Sequence, residues 1–116
     1  MPFKRGDVVL VLFPDTNLRT AKRRPAIVVQ AENLSTGLPQ LIIAMITSNM
    51  SRASHPSRVV LTRSSEVGRQ AGILMDSVIM TDNLATVREG EIDRTIGTLA
   101  DMSEINDALK HTLSLI

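Results

Sequence analysis

Lys22-Arg23-Arg24-Pro25-Ala26-Ile27-Val28-Val29 and Leu41-Ile42-Ile43-Ala44-Met45-Ile46-Thr47-Ser48-Asn49 decide how this chain folds. In each, a short apolar run that reads as a buried strand meets a polar cluster at one end, cationic in the first and hydroxyl and amide in the second. Pro25 fixes its own φ and confines Arg24 to extended conformations, so the guanidinium stands at the mouth of a strand on an ordered stem. If the two strands lie side by side, Arg24 and Thr47 face one cleft.

Working outward, Gly6-Asp7 leads into Val8-Val9-Leu10-Val11-Leu12-Phe13, a first strand closed by Pro14. Its apolar run is continuous rather than alternating, which predicts cover on both faces. Asp15 to Lys22 is polar and reads as an exposed loop leading to Arg24, placed to act as a lid. Pro25–Val29 is the second strand and Leu41–Ile46 the third, joined by a turn-rich connection. Ser48 to Ser57 reads as a surface loop, Val59–Leu61 as a short fourth strand and Ser64 to Gln70 as loop. Ile73–Met75, Val78–Met80 and Leu84–Val87 follow as short strands, and residues 92–99 fit either a short helix or an edge strand. Asp101 or Ser103 can cap a final helix, with Glu104 placed for a capping box from Asp101. Ile105, Ala108, Leu109, Thr112, Leu113 and Ile116 form its apolar face. Met45, Met75 and Met80 read as core filling.

Many short strands closed by one helix predict an α+β fold, a small and strongly bent antiparallel sheet or partly open barrel, in one domain over residues 1–116. The chain has no cysteine, which excludes disulfides and thiolate metal sites and is compatible with a reducing compartment. The longest apolar run falls far short of the roughly 20 residues that span a bilayer. No membrane association and a cytoplasmic location are expected.

Net charge is only +1, but residues 1–24 carry six Lys and Arg against two Asp, and residues 71–116 carry three basic against eight acidic side chains. A polyanion-facing basic half and ordinary solvated charge both account for that asymmetry. The chain has no Gly-rich phosphate loop, metalloprotease helix motif or nucleophile elbow. Its two histidines, His55 and His111, are far apart in sequence, and Asp76 and Asp82 lack an obvious third ligand. Metal-free chemistry without a cofactor is expected. Arginine's planar fork suits a phosphodiester and the extra charge of a pentacoordinate phosphorus, and a threonine hydroxyl can donate to a phosphoryl oxygen. RNA supplies its own nucleophile, the 2′-hydroxyl. Arg24 and Thr47 have the required chemistry, but a strand-end cation and a turn residue are equally ordinary roles for them.

Gly6-Asp7 before an apolar strand ending Phe13-Pro14, then Arg24-Pro25-Ala26-Ile27-Val28-Val29, Ile46-Thr47-Ser48 and Asp76-Ser77-Val78-Ile79, resembles the MazF/PemK family of toxins from toxin–antitoxin systems. Four blocks in register over nearly the whole chain carry the likeness. The resemblance implies an SH3-like barrel with a C-terminal helix and a homodimer. It implies sequence-specific, metal-independent cleavage of single-stranded RNA to 2′,3′-cyclic phosphate and 5′-hydroxyl ends, and neutralisation by a cognate antitoxin. By the family's motif, Arg24 serves in proton transfer and charge stabilisation and Thr47 orients the scissile phosphate. An arginine base is awkward at its normal pKa, so electrostatic stabilisation is the preferred role.

Around that pair, Lys22 and Arg23 either contact RNA phosphates or solvate the loop. Ser48, Asn49, Arg52 and His55 either line an RNA groove or sit on an ordinary surface loop, and Asp76-Ser77 either orders the site or makes a turn. Many members carry a Glu-Gln-Gly-like sequence before the arginine, where this chain has Arg19-Thr20-Ala21-Lys22-Arg23, so no cleavage sequence carries over. Phe3 and Phe13 are the only aromatic residues, leaving few platforms for base stacking. The alternatives are a gyrase-binding toxin of the CcdB type and an inert RNA-binding barrel. The CcdB type depends on an aromatic C-terminus, whereas this chain ends Leu113-Ser114-Leu115-Ile116.

Overall fold

Val8 and Val9 point to opposite faces of one strand and both are fully buried, so the first strand is covered on two sides, as its unbroken apolar run predicts. The computed structural model describes residues 3–14 and 19–116, with residues 13 and 14 described by their backbone alone. Within it β1 (Asp7–Pro14), β2 (Ala21–Val28), β3 (Gln40–Thr47), β4 (Arg58–Leu61), β5 (Ser77–Arg88) and β6 (Ile92–Thr98) form one antiparallel sheet in the order β4-β5-β3-β2-β1-β6. Two helices, α1 (Glu66–Ala71) and α2 (Ser103–Leu113), complete the α+β fold.

The alternation of side chains along each strand builds two cores. Val8, Ile27, Ala44, Ile46 and Ile79 pack on one face with Ala71 beside α1's end and with Ile105 and Ala108 of α2. Val9, Val11, Ala26, Val28, Ile43, Val87 and Ile92 pack on the other. A single flat sheet cannot bury both faces with helices on one side, so the second cluster requires the sheet to curl over itself. Register shifts mark where it bends. Between Ala44↔Leu84 and Met45↔Met80, residues 81–83 of β5 drop out of the β3 ladder. Between β1 and β6 the register slips at Val8/Val9 and at Leu10/Val11, leaving Ile96 and Asp93 of β6 without partners.

Several expectations change. β2 starts at Ala21, not Pro25, because hairpin pairing with β1 carries Lys22, Arg23 and Arg24 into the strand opposite Phe13, Leu12 and Val11. Of the anticipated lid over Asp15 to Lys22, residues 15–18 lie outside the described residues, and Ala21 and Lys22 belong to β2. Ser64 to Gln70 is not loop: Ser65 Oγ accepts from the Gly68 N–H at 2.9 Å and starts α1, and Gly72, at φ 76°, ends it. Ile73–Met75 forms a turn rather than a strand, and Met75 is 57% exposed rather than core. Val78 to Val87 is one continuous strand, and residues 92–99 contribute the edge strand β6. The final helix ends at Leu113, where Ser114 turns left-handed at φ 58°; Leu113 and Ile116 are exposed instead of packed. Asp101 lies ahead of α2 and accepts from the Ser103 N–H and Oγ at 2.9 and 2.6 Å, which holds its carboxyl below the usual range.

Candidate active site

The β2–β3 ladder pairs Val28 with Ile43, Ile27 with Ala44 and Ala26 with Met45. Continued by two residues, that register sets Arg24 opposite Thr47. Pro25, which has no N–H to give, stands where the ladder stops, so the strand ends can part there. Arg24 and Thr47 both line the resulting hollow, a space of about 370 Å³, together with Arg23, Pro25 and Ser48. Leu10, Ile46 and Ile96 contribute apolar walls from the sheet, and residues 72–75 with Ser77 line the same space.

The polar groups of this corner are only partly satisfied. Thr47 Oγ1 accepts the Asn49 N–H at 3.1 Å, which leaves its own proton free to donate into the hollow. Asn49 is held in turn, its Oδ1 accepting from Ser51 N–H at 3.1 Å and from Ser51 Oγ at 2.6 Å, capping the short 3₁₀ turn Met50–Arg52. The Arg24 side chain is exposed and has no hydrogen-bond or ion-pair partner among the described residues. Arg23 differs: its Nε lies 3.0 Å from Asp93, one of the two β6 residues expelled by the register slips. Both partners are solvent-exposed enough that the pair contributes at most about 1 kcal/mol. Its effect is to hold one cation in place beside Arg24.

Of the remaining sequence candidates, Ser48 joins the hollow; Lys22, Asn49, Arg52 and His55 do not line it. Lys22 is exposed on β2, and Asn49 acts on Thr47 through the backbone. Arg52 offers its carbonyl to Arg58 Nη1 at 3.0 Å. His55 takes the Ser57 N–H on Nδ1 at 3.1 Å, and its ring stands edge-on to His111 of α2, centroids 6.2 Å apart. Neither Asp76 nor Asp82 is uncommitted: Asp76 Oδ1 accepts the Arg63 N–H at 2.8 Å, and Asp82 takes a two-pronged contact from Arg58 at 2.7 and 3.3 Å. That fork holds the Asp82 carboxyl below its usual range and raises Arg58.

Sequence reasoning missed the apolar walls of the site. Leu10 and Ile96 look like ordinary strand residues, and the bulge that re-aims Ile96 has no one-residue signature. Leu74 and Met75 carried a usable signal, two large apolar residues wedged between Gly72 and Asp76-Ser77, a stretch too short for a strand.

The family model for the PemK-like, MazF-like toxin of type II toxin–antitoxin systems matches residues 4–113. Endoribonuclease EndoA of Bacillus subtilis (strain 168) is 29% identical over 119 residues, covering 100% of this chain and 98% of that protein. Endoribonuclease MazF of Staphylococcus saprophyticus is 28% identical over 115 residues, 97% of this chain and 92% of its own. Among solved structures, an endoribonuclease in complex with its cognate antitoxin from a mycobacterial species superposes with a TM-score of 0.73 at 21% identity, covering 98% and 97% of the two chains. A MazE–MazF structure from Deinococcus radiodurans gives 0.73 at 18% identity, covering 98% of each chain. The fold and the match over almost the full length agree, and the chain belongs to the PemK-like, MazF-like toxin family of type II toxin–antitoxin systems.

Proposed function

We propose that residues 1–116 act as one toxin domain that cleaves single-stranded RNA without a metal ion, and that Arg24 and Thr47 carry the reaction. The observation that supports this most is a guanidinium without a partner among the described residues and a donor-ready hydroxyl lining one hollow at the β2–β3 end. The names of the relatives, two of them endoribonucleases at 28% and 29% identity, point the same way.

In the reaction, the ribose 2′-oxygen attacks the adjacent phosphorus, the O2′–P bond forms and the P–O5′ bond breaks. The 2′-hydroxyl proton leaves through solvent or a phosphate oxygen, and the departing O5′ takes one up. A 2′,3′-cyclic phosphate and a 5′-hydroxyl result. Arg24 stabilises the extra negative charge on the non-bridging oxygens. Thr47 donates its hydroxyl to one of those oxygens, and Asn49 fixes the direction of that donation from behind. Lys22, Arg23 and Ser48 hold flanking nucleotides, and Arg52 and His55 are assigned contacts farther along the strand. The working unit is a homodimer in the cytoplasm. Its cognate antitoxin is a small protein whose acidic and apolar segment folds over the cationic corner on binding.

The test is incubation of the purified protein with a long mixed-sequence single-stranded RNA in EDTA, beside Arg24→Ala and Thr47→Ala. Discrete cuts bearing cyclic phosphate, lost in both variants, are expected. RNA left intact by the wild-type protein, with DNA supercoiling by gyrase inhibited instead, contradicts the nuclease reading.

A further inference from the structure

The hollow has two unlike sides. Arg23, Arg24, Thr47 and Ser48 supply cationic and hydroxylic lining, and Leu74 and Met75 line the same space with apolar side chains. Leu74 is 86% exposed and Met75 57%, so neither is there to fill a core. Large apolar side chains on flexible tips are common, but this turn is held on both sides of Leu74. Gly72 sits in the left-handed region, and a Cβ there would come 2.1 Å from the Ile96 carbonyl oxygen, so the turn is pressed backbone to backbone against β6. Ile73 is anchored in the core. Ser77 Oγ donates to the Met75 carbonyl at 2.8 Å, and Asp76 is tied to the Arg63 N–H. The backbone thus holds two apolar side chains in water beside the ion-paired Arg23 and beside Arg24, which has no partner among the described residues.

A single-stranded nucleotide has the complementary shape, a charged phosphate edge and a flat apolar base. The chain has only two aromatic residues, and one of them, Phe3, packs against the inner core. A methionine thioether makes favourable contacts with an aromatic ring, and a leucine offers a flat aliphatic surface. We propose that the Leu74–Met75 turn is the base platform of this toxin: the base next to the phosphate held by Arg24 and Thr47 packs against these two side chains. The turn is therefore a determinant of sequence preference at that position. This rests on the nuclease reading and names its substrate contact.

The test uses Leu74→Ser/Met75→Ser in the full chain, two exposed positions whose replacement leaves the core intact. The probe is a fluorescent RNA strand carrying a mapped cut site, made uncleavable by a 2′-deoxy sugar at that site. A matched series has an abasic sugar at each flanking position in turn. The expected result is one abasic position that weakens wild-type binding by about fivefold or more but leaves binding by the double variant unchanged. The variant should bind the intact strand about as weakly as the wild type binds that abasic strand. Met75→Phe should tighten binding at the same position alone. Equal abasic penalties in the two proteins, or unchanged binding of the intact strand by the variant, overturn the platform. So does a change in sedimenting mass on substitution, which would assign the turn to a contact between protein chains. Failure of the nuclease reading shows elsewhere, as intact RNA in EDTA with Arg24→Ala indistinguishable from wild type.

Discussion

Two corners of this sheet each pair an arginine with a threonine, and they have opposite fates. At one, Arg58 places its guanidinium on Asp82 and on the Arg52 carbonyl, and its side chain is mostly buried. Thr81, fully buried, donates from its backbone N–H and its hydroxyl to the same Ser57 carbonyl, and it shares a 2.8 Å hydrogen bond with Thr112 of α2. Every strong donor there has a protein partner, and the corner ties β4, β5 and α2 together. At the other, Arg24 has no partner among the described residues and Thr47 keeps its proton unspent. The same residue types staple the fold in one place and, among the described residues, keep unused donors in the other. Saturation of hydrogen bonds separates them, and residue identity does not.

The sharpest way to break this contrast is to remove one group from each corner and compare activity with stability. Arg24→Ala should lower RNA cleavage by about 10²–10³-fold, the usual cost of losing a group that meets transition-state charge. Its melting temperature should stay near wild type, since an exposed and unpartnered side chain contributes little to folding. Thr47→Val should cost up to about 10²-fold in single-turnover rate, with Thr47→Ser recovering most of it, because the serine keeps the donor.

Thr81→Val should do the reverse. The Ser57 carbonyl keeps only its backbone partner and the Thr112 hydroxyl loses one, so stability should fall by about 1–3 kcal/mol in denaturant unfolding while cleavage per folded molecule is unchanged. Asp82→Asn should have the smallest effect. Arg58 holds the folded Asp82 carboxyl below its unfolded value of about 3.9. The pair's stabilisation is therefore full above that value and is lost as pH falls through the lower folded one. Melting temperatures should then differ slightly between Asp82→Asn and wild type at pH 7 and converge in acid.

The contrast also explains what could be read from the residues. Continuous apolar runs marked β1 and β3, and the Arg-Pro and Ile-Thr-Ser blocks marked the two strand ends that line one hollow, because strand burial and proline leave local signatures. The charged start of β2 looked like loop because Lys22, Arg23 and Arg24 gain strand conformation only by pairing across to β1. α1 was missed because six residues with a glycine inside give no helical period, although Ser65 and Gly72 bracket it. The Asp93 and Ile96 positions come from register slips between strands distant in sequence. His55 is near Thr47 along the chain, and its ring stands edge-on to His111 of α2, outside the lining of the hollow.

The most direct measurement is a double-mutant cycle on single-turnover cleavage of one RNA strand in EDTA, with wild type, Arg24→Ala, Thr47→Ala and the combination. If guanidinium and hydroxyl hold one phosphate together, the double variant should lose little more than the worse of the two single variants. Losses that multiply independently would contradict a shared phosphate site at the β2–β3 end.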